Sequence, residues 1–293
     1  MSALLERTVA PGVHQRACPS LTLPPFDATW VTLIRSGSRG ALVDPGFKDP
    51  SDAEALLAWA RDLGVLDIDR VLITHTHRDH VCGLGPVLDL LGPGVQVYVH
   101  PAEVARIGVQ ADVRPLGDGR SLVLGGALVR ALHTPGHSPG HLAFEVRPAA
   151  DPRDAPGPAG LVAGDLITGL GSPWIGLPEG DLGDYLASLE RVRKLAPAWI
   201  AVAHGEAVQD PIAALGAAAR HRQERLDAVV AALDEPTRLE ALQRTVYGDV
   251  HDPDAPFVRS ALLANLLHAM RELRVAHLGD DEDGPYLRRR GSD

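Results

Sequence analysis

Residues 71–80 read Val71-Leu72-Ile73-Thr74-His75-Thr76-His77-Arg78-Asp79-His80. The apolar triplet is a buried-strand run, and four side chains of metal-ligand type follow it within six residues. So dense a group cannot all belong to a core. In extended backbone, positions 75, 77 and 79 share one side and the adjacent His80 turns to the other. That layout suits two neighbouring metal ions better than one. Neutral imidazole and carboxylate are also the ligand types that zinc accepts, at about 2.0–2.2 Å. The competing reading is a solvated polar loop that happens to hold three histidines.

Three further segments repeat the layout of an apolar run followed by a glycine-flanked ligand type. His137 lies in Thr134-Pro135-Gly136-His137-Ser138-Pro139-Gly140, Asp165 in Leu161-Val162-Ala163-Gly164-Asp165, and His204 in Ile200-Ala201-Val202-Ala203-His204-Gly205. Each alone is weak. Their shared position after strands is informative, because loops at strand ends are where layered folds assemble sites.

Outward from these motifs, short apolar runs read as strands: Trp30 to Ile34, Ala41 to Val43, Val71 to Ile73, Val95 to Val99, Leu128-Val129 and Trp199 to Val202. Helical spacing appears between some of them, over Asp52 to Leu63 and Tyr185 to Leu195. This alternation predicts an α/β layered body over residues 1–210. Pro148 to Gly160 reads as a surface loop. Residues 211–293 read as a small, mostly helical domain. It has one long helix through Leu215 to Leu233, a short one opened by a capping box of Thr237 and Glu240, and a third through Leu262 to Leu273. The opposite charge blocks Asp280 to Asp283 and Arg288 to Arg290 predict a frayed end.

Of 293 residues, 45% are hydrophobic, enough for a core. No run approaches the roughly 18 apolar residues needed to span a bilayer. Met1 to Ala10 matches a secretory signal poorly, because Glu6 and Arg7 interrupt it. Cys18 and Cys82 define no disulfide framework. These features predict a soluble, cytoplasmic protein. The net charge of −10 disfavours general binding to polyanions or anionic membranes.

The order His75-x-His77-x-Asp79-His80, His137, Asp165, His204 resembles the metallo-β-lactamase-fold superfamily over roughly residues 10 to 210. The resemblance implies an αββα sandwich with the site at one edge. It implies one metal on His75, His77 and His137, a second on Asp79, His80 and His204, and Asp165 bridging the two. The C-terminal segment resembles the winged-helix-like extension of a subgroup to which thioesterases and single-strand endoribonucleases are assigned. The stretch from Glu179-Gly180-Asp181 to Leu195 resembles the same subgroup.

Two positions depart from or only approximate the family pattern. Cys82-Gly83 stands where a glycine pair is usual, which leaves Cys82 open as a ligand. Asp44-Pro45-Gly46 is close to the family's Asp-x-Gly, and Asp44 reads as a supporting residue and not a ligand. Among the other histidines the resemblance selects neither His133 nor His141, which read as support for the site or as loop polarity. His100 is a candidate for the site mouth. His14, His221, His251, His268 and His277 read as structural or solvated.

The expected function is a binuclear metal-dependent hydrolase. Two close cations, zinc with Mn2+ or Fe2+ as alternatives, would lower a shared water's pKa from 15.7 toward about 7 and supply a metal-bound hydroxide. Asp79 would orient that hydroxide and accept its proton. A thioester or similar small ester-type substrate is the first expectation. The alternatives are a single-stranded RNA endonuclease, a mononuclear iron dioxygenase using His75, His77 and Asp165, and a non-enzymatic winged-helix binding module. DNA is not an expected partner, since residues 213–293 hold eleven Arg and no Lys against fourteen acidic residues.

Overall fold

The computed structural model describes residues 5–148, 158–249 and 255–289. A first sheet runs in chain order through β1 (Glu6–Ala10), β2 (Val13–Pro19), β3 (Ala28–Ser36), β4 (Arg39–Val43), β5 (Asp67–Leu72), β6 (Gln96–Val99) and β7 (Asp112–Pro115). Strands β1 to β4 pair antiparallel, and β4 to β7 pair parallel. A second sheet has the order β12-β11-β10-β9-β8, from β8 (Ser121–Leu124), β9 (Ala127–His133), β10 (Leu142–Arg147), β11 (Gly160–Val162) and β12 (Ile200–Ala201).

Side-chain alternation sets the layers. Leu72 of β5 joins Ile34, Val43, Leu142, Phe144, Val162 and Ala201 in a core between the two sheets. Its neighbours Val71 and Ile73 point the other way, to the outer face covered by α1 (Asp52–Asp62) and α3 (Leu84–Leu91). Both faces of the C-terminal end of β5 are therefore buried, which is why Val71-Leu72-Ile73 is a continuous apolar run, whereas Asp67, Asp69 and Arg70 keep the first part of the strand polar. Across the sandwich, Ala143, Leu161 and Ile200 point outward to α4 (Leu182–Leu195). The result is the expected αββα sandwich.

The chain after residue 210 forms α5 (Pro211–Ala231), α6 (Leu239–Tyr247) and α7 (Ala255–Arg271), then an antiparallel pair, β13 (Val275–His277) and β14 (Tyr286–Arg288). Pro211 at the first helical position and Asp210 capping Ala213 N fix the start of α5. The change of sequence texture falls there, but the core does not divide. One buried cluster runs from Leu132 and Leu189 through Leu215, Leu226 and Leu266 to Tyr286.

Two sequence expectations fail in this part. Over its described residues the tail is not frayed: Tyr286 is buried, β14 pairs with β13, and Arg259 holds Glu282 and Asp283. Charge density hid a strand carried by one aromatic residue. The capping box does not form either. Arg238 caps α6 without a side-chain bond, while Thr237 pairs through its backbone with Tyr286. Residues 149–157 of the expected surface loop, with His251 and Arg290, lie outside the described residues. No helix among the described residues is long and apolar enough to cross a membrane.

Candidate metal centre

Loops following β5, β9, β11 and β12 meet at one edge of the sandwich. Two backbone hydrogen bonds join the sheets there, Leu142 N to Thr74 O at 2.8 Å and Trp30 N to Ala203 O at 2.8 Å. The turn after β4 packs directly under the site. Gly46 lies so close that a Cβ would run into the Asp79 carbonyl, so a side chain there would displace the ligand-bearing segment. Helix α2 (Arg78–Val81) carries Asp79 and His80 away from the extended His75-Thr76-His77.

All seven candidate ligands come together, in three overlapping groups: His75, His77 and His137; His75, His80 and Asp165; Asp79, His80 and His204. In the first group His75 Nε2, His77 Nδ1 and His137 Nε2 stand 2.9, 2.9 and 3.1 Å apart. The remaining nitrogen of each ring decides what these contacts are. Thr74 Oγ1 gives its proton to Asp44 Oδ2 at 2.6 Å, so at 3.0 Å it accepts one from His75 Nδ1. His137 Nδ1 donates to the Trp174 carbonyl at 2.7 Å, and His77 Nε2 donates to Glu179 at 3.3 Å. With those protons committed, three lone pairs face one another.

Three bare nitrogens so close repel unless a cation lies among them. A triangle with sides near 3 Å also leaves a point about 2 Å from every corner, the length of a zinc–nitrogen bond. The donor set therefore fits a divalent metal ion. The second group has the same form. His80 Nδ1 donates to Asp44 Oδ2 at 2.9 Å and His204 Nδ1 to the Ala28 carbonyl at 3.0 Å. The two Nε2 atoms, 3.4 Å apart, turn toward the carboxylates, with Asp79 Oδ2 at 3.3 Å from that of His204. Asp165 lies between the groups. Its Oδ2 is 3.4 Å from His137 Nε2, and its Oδ1 is 3.5 Å from both His80 and His204. That Oδ1 is buried without a hydrogen-bond partner.

Electrostatics follow the same division. Burial pushes the His75 imidazole well below its usual pKa and lowers that of His137 to about 4. Burial would raise the Asp79 carboxyl, but His80 and His204 outweigh it and hold it at about 2. Burial opposes charge on His80 as well, yet Asp165, Asp79 and Asp44 raise its pKa well above the ordinary value. Asp79 is thus ionised and His75 and His137 are neutral, the forms that bind metal.

The supporting residues sort the undecided positions. Asp44, at a positive φ of 51°, accepts from Thr74 N, Thr74 Oγ1 and His80 Nδ1, so it aims both histidine groups. His141 is buried, and its Nε2 accepts from the Asp165 amide at 3.0 Å. His133 bonds the Pro139 carbonyl and stacks on His100, their centroids 4.2 Å apart, and neither lines the cleft. The Cys82 thiol donates to the Phe47 carbonyl at 3.1 Å and joins no ligand group.

Sequence reading missed Glu103. It lies 1% exposed on a 3-10 turn after β6 and accepts from Thr76 Oγ1, Ser138 Oγ (3.2 Å) and Gly140 N (3.1 Å). It thereby ties the His75–His80 loop to the His137 loop. No local motif marks it. His221, read as structural or solvated, and Arg222, which no motif singles out, line the cleft that opens on the centre.

A sequence profile of the Metallo-beta-lactamase superfamily matches residues 24–204, the span that carries every one of these donors. The chain belongs to the metallo-beta-lactamase superfamily. Among curated members it is similar to the Beta-lactamase-like protein 2 homolog of Drosophila melanogaster, 28% identical over 205 residues, 66% of this chain and 64% of that protein. It is also similar to Lactamase-like protein adaB of Aspergillus niger, 32% identical over 69% of this chain and 57% of that protein. The chain thus spans less than two thirds of either relative's length. Two solved structures share the fold. A metallo-beta-lactamase family protein from Thermus thermophilus has a TM-score of 0.73 at 24% identity, over 96% of this chain and 99% of that one. A Beta-lactamase domain protein from Burkholderia ambifaria has 0.78 at 22% identity, over 97% and 93%. Both likenesses extend past residue 204 into the C-terminal helices.

Proposed function

We propose that this superfamily member is a binuclear metal-dependent hydrolase acting on a thioester or similar small ester-type substrate. The observation that carries the reading is the convergence of two histidine-bearing donor groups, joined by Asp165, in an apolar-walled cleft. His75, His77 and His137 would hold one divalent cation, and Asp79, His80 and His204 the other, with Asp165 shared. Bound there, the cations would supply Lewis acidity and an acidified water, zinc being the ion whose ligand preferences match best.

The chain's own residues do the rest. Asp44, Thr74, Glu179 and the carbonyls of Ala28 and Trp174 hold each imidazole in one tautomer and orientation. Asp79 lines the cleft, where its carboxylate can orient the attacking water and take its proton. The cleft encloses about 710 Å3, within the range of small-ligand sites. Leu21, Leu23, Phe26, Leu170, Trp174 and Phe257 give it apolar walls suited to an acyl chain. A single-stranded RNA would need a track of cations for its phosphates, whereas the net charge of −10 works against one.

The test is turnover by the metal-loaded protein on a panel of thioesters, lactones, phosphodiesters and single-stranded RNA. Hydrolysis of thioesters above the other classes, abolished by chelation, is expected. Preferential cleavage of RNA would replace the substrate assignment.

A further inference from the structure

Arg222 is the one buried arginine among the described residues of the C-terminal part, where Arg225 is half-buried and likewise meets a carbonyl, that of Val246, and the ring of Tyr247. Arg244, Arg259, Arg271, Arg274 and Arg288 each meet a carboxylate. Arg222 is only 8% exposed, and no carboxylate among the described residues pairs with it. Its Nη2 donates to the Pro173 carbonyl, a neutral partner, and its Nε is buried with no partner. The groups around it are the rings of Tyr185, 5.7 Å from its Cζ, and of Tyr247. Burying a guanidinium without a counter-charge is costly, and burial accordingly pulls its pKa below the usual value.

The same side chain lines the cleft that opens on the metal centre. Its carbonyl partner, Pro173, directly precedes Trp174, whose carbonyl fixes His137. Consecutive Cα atoms lie 3.8 Å apart, so the cation and a ligand histidine are tied to adjacent peptide units of one loop. An anion held by Arg222 would thus belong to a molecule that also reaches the centre.

We propose that Arg222 is a substrate-anion receptor: the substrate carries a carboxylate or phosphate that pairs with its guanidinium while its carbonyl is presented to the His/Asp centre. This rests on the hydrolase reading above and narrows its substrate class to acidic esters or thioesters. Arg222 acts on binding and orientation and takes no part in bond breaking. A planar guanidinium is suited to either anion, since both accept two parallel N–H bonds.

Matched substrates separate the two sources of charge. Glutaryl and pentanoyl thioesters of N-acetylcysteamine differ by a carboxylate on the acyl part. Pentanoyl-4′-phosphopantetheine and pentanoyl-pantetheine differ by a phosphate on the thiol part. In at least one pair the metal-loaded wild type is expected to favour the charged member. R222Q should lower kcat/KM for that member about 10- to 100-fold more than for the neutral one, mostly through KM. R222K should keep part of the preference. Equal losses on charged and neutral members would make Arg222 a fastener of the Pro173 loop and overturn the assignment.

The corresponding thioethers, which cannot be hydrolysed, are titrated calorimetrically against wild type and R222K. Tighter binding of a charged thioether by wild type, weakened in R222K, upholds the receptor even where no thioester is turned over. That outcome would remove only the hydrolytic reading. A wild type that binds charged and neutral thioethers alike in both pairs overturns the proposal.

Discussion

His133 at the end of β9 and His137 and His141 in the loop after it differ in what they touch, and this sets different expectations for their loss. His137 presents a bare nitrogen to His75 and His77, so His137→Ala should empty the first metal position and remove nearly all activity. His141 touches no candidate metal position and holds the Asp165 amide, so His141→Ala should cost about 10- to 100-fold in metal affinity or rate. His133 lies away from the cleft, and its replacement should cost least. Metal content and rate measured side by side on the three variants check this ranking. A His133→Ala or His141→Ala protein that loses metal while His137→Ala keeps it would falsify the assignment. Cys82 offers a control of opposite sign. Its thiol bonds the Phe47 carbonyl, and Cys82→Ser should leave metal content unchanged and shift stability by no more than about 1 kcal/mol. Loss of one metal equivalent in that variant would return Cys82 to the ligand set.

At the scale of elements, what holds the site is the set of ties between loops, and Glu103 is the densest of them. Glu103→Ala leaves Thr76, Ser138 and Gly140 without their acceptor and should cost about 1–3 kcal/mol. Denaturant titration, with metal affinity followed in parallel, checks it; unchanged stability and unchanged affinity would show that the loops are held otherwise. Glu103 also marks where sequence reading stops. The strands around Val71-Leu72-Ile73 and Trp30 to Ile34 were legible because continuous apolar runs report burial on both faces. The seven donors were legible because ligand types clustered behind such runs. Glu103, Thr74 and Arg222 act through neighbours distant in sequence, and a single acid, hydroxyl or arginine on a surface-like segment carries no periodic signal. The capping box at Thr237 failed for a related reason, since pairing with Tyr286 overrode a local preference. β13 and β14, each three residues long, are held by long-range packing of Val275 and Tyr286, which their charged flanks conceal.

For the whole molecule, the buried cluster continuous from Leu132 to Tyr286 changes the expectation for truncation. Sequence alone suggests that a chain ending near 215 keeps its metal and loses only substrate turnover. With Leu182, Tyr185 and Leu189 of α4 packed in one cluster with Leu215, Leu226 and Leu266, removing the C-terminal part strips α4 of its cover. A chain ending at 210 is therefore expected to aggregate or unfold. Recovery of a monodisperse, metal-binding 1–210 protein would show two separable units. The same helices bring Arg222, Tyr247 and Phe257 over the cleft, so the part without any candidate ligand still shapes what can enter. The central claim is that the edge of the sandwich holds two cations on seven side chains. Elemental analysis of protein purified without chelator tests it most directly. The account predicts about two divalent ions per chain, falling to about one in His137→Ala. One ion or none in the unaltered protein, with no gain on adding zinc or manganese, would contradict it.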